Sequence, residues 1–216
     1  MTVTWLGRSC FKITHDGYSI VIDPYTAAST GYPELHVDAD MVLVSHDHPG
    51  HNNVSAVRLS GTDRPCPFEI EKVDVGHDEA NGLVRGMNTI HILTAGGLKL
   101  VHTGDVGFMC TDGRLFAPDV LLVACGSFRT LPPYVMKEMA DAMCPNVIIP
   151  MHYHHEHYGN RRISALEDFT DLYYEEADVI KYPTNTIDIT KDMPHQVAVL
   201  KYMDIALGTF TADLKV

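Results

Sequence analysis

Short apolar blocks alternate with turn residues over the first 25 positions. The stretch VTWLGRSCFKITHDGYSIVIDPY predicts three strands, Val3 to Leu6, Cys10 to Thr14 and Tyr18 to Ile22. Gly7 and the triplet His15-Asp16-Gly17 supply the turns between them. The run MVLV, residues 41–44, is apolar throughout, which predicts a strand buried on both faces. Alternation resumes further on and predicts a strand from Phe68 to Val75. NTIHIL (88–93) and LKLVHT (98–103) flank Ala95-Gly96-Gly97 and read as a hairpin. DVLLVAC (119–125) and NVIIPMH (146–152) are two further buried strands.

The period changes in two places. Residues 133–144 put Val135, Met136, Met139, Ala140 and Met143 on one helical face, with Pro133 suited to the first turn. Residues 164–177 predict a second helix, with Ser164 and Glu167 as a capping box and Leu166, Phe169 and Tyr173 as its apolar side. Two more strands are expected, Thr186 to Ile189 and Val197 to Leu200, before a weakly patterned tail from 203. No repeat, low-complexity tract or long linker interrupts the chain, so residues 1–216 are expected to form a single domain. Strands followed by strand–helix units suggest two packed sheets with helices outside.

Composition narrows the function classes. The chain has 216 residues, enough for a sizeable core, and a formal net charge of −12. Such an acidic surface repels phosphate backbones, so no nucleic-acid partner is expected. No apolar run approaches the length needed to span a membrane, and none is expected to bind one. The five cysteines (Cys10, Cys66, Cys110, Cys125 and Cys144) are odd in number and form no CxxC pair. The start, MTVTWLGRSCFKI, lacks a basic region followed by an apolar stretch, so no signal peptide is expected and the reading is a cytoplasmic protein.

The chemistry concentrates in SHDHPGHNN, residues 45–53, directly after the apolar MVLV. In extended backbone His46 and His48 point the same way. His51, expected at the start of a helix, can swing back towards them. Clustered neutral imidazoles are common ligands of transition metals. A single loop of solvated histidines would be unremarkable, but the signal recurs at other strand ends. His77 ends FEIEKVDVG, Asp105 ends LKLVHTGD and His152 ends NVIIPMH. Gly104 allows the tight turn that aims Asp105 inward.

These landmarks, from WLGRSCFKI through SHDHPGHNN, GHDEANG, LVHTGDVG and DVLLVACG to NVIIPMHY, resemble the metallo-β-lactamase superfamily. The similarity is greatest to its small bacterial Zn-dependent hydrolases, which include ascorbate-phosphate lactonase-like and phospholipase-D-like members. The resemblance implies an α+β fold, a four-layer αββα sandwich of two mixed β-sheets with outer helices. It implies a first metal on His46, His48 and His77, a second on His51 and His152, and Asp105 bridging the two. Asp105 and His51 are the residues expected to take part in catalysis, and His102 is expected to support the ligands from behind. The implied cofactor is Zn2+, one or two ions, with Mn2+, Fe2+ or Ni2+ as alternatives for such a donor set.

The chain departs from the family pattern H-x-H-x-D-H at Gly50. In the family that aspartate binds the second metal and orients the attacking water. Asp47 points away by the same alternation that aligns His46 and His48, while Asp78 and Glu79 remain open as substitutes. Three outcomes follow: a weakened second site, a different metal, or metal binding without catalysis. The expected reaction is hydrolysis of a small ester, lactone or phosphoester, falling off below about pH 6 as imidazoles protonate. His154, His155, His157, Arg161 and Arg162, with Arg129 and Tyr134, are candidates to grip an anionic small-molecule substrate. A non-catalytic metal-binding protein of the same fold is the alternative. Self-association is left open.

Overall fold

The computed structural model describes residues 1–174 and 177–203. The tail from 204 and two positions of the expected second helix lie outside the described residues. The chain runs through β1 (Thr2–Gly7), β2 (Cys10–His15), β3 (Tyr18–Ile22), helix α1 (Ala27–Thr30), β4 (Val37–Ala39), β5 (Met41–Leu43) and β6 (Val57–Leu59). It continues with β7 (Glu69–Gly76), β8 (Met87–Ala95), β9 (Leu98–His102), β10 (Val120–Ala124), helix α2 (Pro133–Met143) and β11 (Val147–Met151). Helix α3 (Glu167–Thr170), β12 (Asp178–Lys181), β13 (Thr186–Asp188) and β14 (Gln196–Val199) complete it.

Five strands form one sheet in the order β13-β1-β2-β3-β5, and seven form another in the order β12-β14-β11-β10-β9-β8-β7. Both are mixed: β1–β2–β3 and β7–β8–β9 are antiparallel meanders, whereas β3–β5 and β9–β10–β11–β14 pair in parallel. The period-2 pattern of the first sheet decides its two faces. Val3, Trp5, Phe11, Ile13, Ile20 and Ile22 join the core shared with Ile90, Ile92, Leu100 and Leu121 of the seven-stranded sheet. Leu6, Cys10 and Val21 face the other way, onto Tyr25, Tyr32 and Leu35. Each large side chain buried between the sheets contributes about 1.5–3 kcal/mol.

The expected sandwich is thus present, with α2 burying Met136, Met139, Ala140 and Met143 against the seven-stranded sheet beside β10. Its outer layer on the other side is thin: α1 is a single turn, joined by the two-stranded β4–β6. Two expectations need correction. MVLV is apolar on both faces, but among the described residues β5 is an edge strand paired only to β3, so Met41 and Val42 are half-buried. A continuous apolar run cannot distinguish a central strand from an edge covered by neighbouring loops. The helix expected over 164–177 is short. His154 N–H donates to the Ser164 carbonyl and Ser164 Oγ pairs with Ser127 Oγ, while the next residue, Ala165, forms a parallel bridge with His154. The helical turn starts at Glu167, with Asp168 accepting from the Ala165 N–H, and Tyr174 returns to extended backbone. Among the described residues no helix is long and apolar enough to cross a membrane.

Candidate metal centre

Five strands each hand over polar residues at their C-terminal ends: Asp23 after β3, the 45–51 loop after β5, His77 after β7, Asp105 after β9 and His152 after β11. Ring nitrogens of His46, His48 and His77 lie within 4.8 Å of one another, and so do ligand atoms of His46, His51 and Asp105. One oxygen is central. Asp105 Oδ2 lies 3.1 Å from His152 Nε2, 3.3 Å from His51 Nε2 and 4.0 Å from the Nε2 atoms of both His46 and His77. All six residues singled out in the sequence therefore meet in one place.

The loop that carries three of them is tightly wound. His48 N–H donates to the His46 carbonyl, and His51 and Asn52 N–H both donate to the His48 carbonyl. His51 sits in this turn rather than at a helix start, and the next helical turn is a short 3₁₀ segment, Val54–Ala56. Behind the loop stands Asp23, fully buried, with φ +54°. Its carboxylate accepts from the Ser45 N–H at 2.7 Å, the Ser45 hydroxyl at 2.6 Å and His51 Nδ1 at 2.8 Å. Because the Ser45 hydroxyl donates to Asp23, its oxygen accepts from His46 Nδ1 at 2.9 Å, which leaves the His46 Nε2 lone pair facing Asp105. Sequence reasoning missed Asp23. The same strand-end signal was there in SIVID.

Asp105 and His77 are held by equally specific devices. Gly104 has φ +56°, and a Cβ there would meet Asn88 Oδ1 at 2.2 Å. Asn88 accepts from the Asp105 N–H and donates to the Thr103 carbonyl, tying the loop after β9 to β8. His102 stays behind the group, bonded to the Ser9 carbonyl and accepting from the Gly104 N–H, as its expected supporting role requires. The loop after His77 winds around Asp78, whose carboxylate accepts backbone N–H groups of Ala80, Gly82, Val84 and Arg85. Asp78 is therefore committed to its own loop, and Glu79 is exposed. Asp47 is exposed and paired with Asn52. None of the three replaces the carboxylate absent at Gly50.

The electrostatics favour neutral imidazoles. Burial, reinforced by the His51 charge, lowers His46 to about 3. Burial and then the Arg8 charge lower His152 to about 4. Burial also lowers His48 and His77. His51 goes the other way: burial opposes its charge, but Asp105 and Asp23 on its two sides outweigh it and raise it to about 9. Burial would raise Asp105, yet its imidazole neighbours, of which His51 is the one that keeps its charge, hold it well below the usual carboxylate range. The donor set fits a cation. Among the described residues His46 Nε2, both ring nitrogens of His77 and Asp105 Oδ1 are buried without a hydrogen-bond partner, an arrangement costing about 1–3 kcal/mol per group unless something binds there.

A cleft of about 340 Å³ opens over the group, lined among others by His48, Asp105, Arg129, Asn160 and Arg162. The Arg129 and Arg162 guanidiniums both lie over the Phe128 ring, at 5.2 and 6.0 Å from its centre. Of the expected substrate-facing residues, these two arginines line the cleft. Tyr134 is 60% exposed and stands outside its lining, and Arg161 and His157 are exposed away from it. His154 and His155 line a different cavity, with Tyr153, Leu166 and Tyr202. A further lining residue went unnoticed in the sequence. Arg8, in the turn between β1 and β2, places Nη2 2.6 Å from His152 Nε2. Its only sequence signal is a charged residue in the turn after a buried strand.

Comparison with known proteins agrees with this geometry. Residues 2–152 match the family model of the β-lactamase superfamily domain. A UPF0173 metal-dependent hydrolase of Methanopyrus kandleri is 28% identical over 193 residues, covering 71% of this chain and 84% of the relative. One from Hyperthermus butylicus is 26% identical over 189 residues, covering 70% and 82%. A crystal structure from Thermotoga maritima, assigned as a Zn-dependent hydrolase of the metallo-β-lactamase superfamily, is 29% identical. It superposes with a TM-score of 0.69 and covers 94% of this chain and 99% of its own. With the family model spanning every residue of the centre, the chain belongs to the metallo-β-lactamase superfamily.

Proposed function

We propose that this chain is a metal-dependent hydrolase of a small anionic ester, lactone or phosphoester, with His46, His48 and His77 holding the cation. The observation that carries the reading is the set of unpartnered, buried ring nitrogens gathered around Asp105 Oδ2 at the floor of a cleft. Zn2+ suits three imidazoles with an open position, and Mn2+, Fe2+ or Ni2+ are the alternatives. Such a cation supplies Lewis acidity and lowers the pKa of water at the site.

The protein's own groups do the rest. Asp105, an ionised carboxylate with one oxygen unpartnered, accepts a hydrogen bond from the attacking water and aims it into the cleft. His51 keeps a proton between Asp23 and Asp105 and is placed to return one to the leaving oxygen. Arg129, Arg162 and Asn160 bind the anionic part of the substrate at the mouth. A cytoplasmic location belongs to the same proposal, supported by five free cysteines, of which Cys10 and Cys125 are buried.

The test is metal analysis of the purified protein with turnover of phosphodiesters, lactones and carboxylate esters. His48→Ala and Asp105→Asn should each lower kcat/KM by about 100-fold or more. Tight metal binding without turnover on any of the three substrate classes would leave a non-catalytic metal-binding protein. A chain that binds no divalent cation sinks both readings.

A further inference from the structure

Resting on the metal-centre reading above, we propose that the Arg8 guanidinium occupies the place of a second cation, so that the centre binds one metal ion per chain. The position opposite His46, His48 and His77 is bounded by His51, Asp105 and His152. Of these, His152 already has a partner for its inward nitrogen, because Arg8 Nη2 lies 2.6 Å from His152 Nε2. A guanidinium has donors only, so Nε2 is the acceptor and holds no proton for Asp105 Oδ2, which lies 3.1 Å from the same atom. Its lone pair cannot serve Arg8 and a metal ion together.

The contact is built in from the backbone. The β1–β2 register slips by one residue between Trp5 and Gly7, an irregularity that re-aims the turn behind it. Arg8 and His152 both hold left-handed backbone, with φ +53° and +55°, a region that non-glycine residues rarely adopt. The Arg8 carbonyl accepts from the His152 N–H at 3.2 Å and from Trp5 Nε1 at 3.0 Å. Main chain and side chain thus join the same two residues.

Gly50 is the complementary change. A Cβ built there would lie 3.7 Å from Thr30 Cγ2 and 4.0 Å from Arg8 Nε, with nothing closer. A side chain at this position has room and would approach the guanidinium. The chain lacks the carboxylate that would attract a second cation and carries a fixed positive charge where that cation would sit. Both differences disfavour a second dication. Arg8 Nε has no partner among the described residues, and Arg8 lines the cleft. Its free edge offers a substrate oxyanion the positive charge that a second metal would otherwise provide.

The experiment is titration of metal-free protein with Co2+, followed by its visible absorption and by calorimetry, with elemental analysis of the Zn2+-loaded protein. The wild type should show one tight equivalent, any second binding at least about 100-fold more weakly. Gly50→Asp alone should still bind one, because the new carboxylate pairs with Arg8. The double variant Arg8→Ala with Gly50→Asp should bind two, its folding checked by circular dichroism. Two tight equivalents in the wild type overturn the inference while leaving the metal centre intact, and so does a second tight equivalent in Gly50→Asp alone. A folded double variant that still binds only one ion overturns it as well. No tight equivalent in any of the three removes the metal centre itself.

Discussion

At the scale of single residues, the centre depends on a carboxylate that stands behind the candidate ligands rather than among them. Asp23 acts through Ser45 and His51, fixing which nitrogen of His46 and His51 faces inward. In Asp23→Asn the amide keeps the shape, but one oxygen becomes a donor and three N–H and O–H donors are left with a single accepting oxygen. Metal affinity should fall about 10–100-fold, as measured by competition with a chelator. An unchanged affinity would show that His46 and His51 hold their orientation without Asp23. The gathering of His46, His48, His51, His77, Asp105 and His152 was legible because histidines crowd in sequence and recur at strand ends. Asp23 and Arg8 were not, since each is one charged residue in a turn, and its partner lies 28 or 144 positions away. The expected loss of activity below about pH 6 assumed ordinary imidazoles. Burial holds His46 near 3, so protonation of this ligand begins at lower pH.

At the scale of elements, turns and strand ends do more than the strands to set the site. The loop between β7 and β8 carries His77 and is a series of turns, in which Asp78 gathers four backbone N–H groups. Asp78→Ala should release that loop. Amide exchange should rise across 78–86 while the β10 and β11 amides stay protected, and metal affinity should fall by about tenfold or more. Equal exchange in loop and core would mean the loop is held otherwise. Most strands and α2 were legible, because an alternating or 3.6-residue pattern is a local property. The short β4, β6 and β12 were missed: three or four residues are too few to establish a period. The second helix was overestimated for a tertiary reason, since the carbonyl of its expected cap, Ser164, accepts from the His154 N–H and Ala165 bridges to His154.

At the scale of the whole molecule, gathering histidines into a buried site makes stability depend on what fills it. In the metal-free protein His46, His91 and His152 have folded pKa values of about 3, 4 and 4, lowered chiefly by burial from an unfolded value near 6.5. A depressed histidine contributes stability that is present above its unfolded pKa and is lost as pH falls towards the folded value. Three such groups weaken the fold from about pH 6.5 down to about 4. Asp23, held at about 2 against burial by His51, adds a further loss below its unfolded value of 3.8. His51 has the opposite sign: at about 9 it contributes stability fully present below about 6.5 and lost as pH rises through 9. The metal-free protein should therefore be most stable near pH 6.5, with a steeper fall on the acid side. Its Tm measured against pH in chelator checks this, and a Tm that keeps rising from pH 6.5 to 4 contradicts it. A saturating cation binds the folded chain alone and should raise Tm at pH 7. That gain should shrink on acidification, because protons then compete for His46, His48 and His77, the residues proposed to hold the ion.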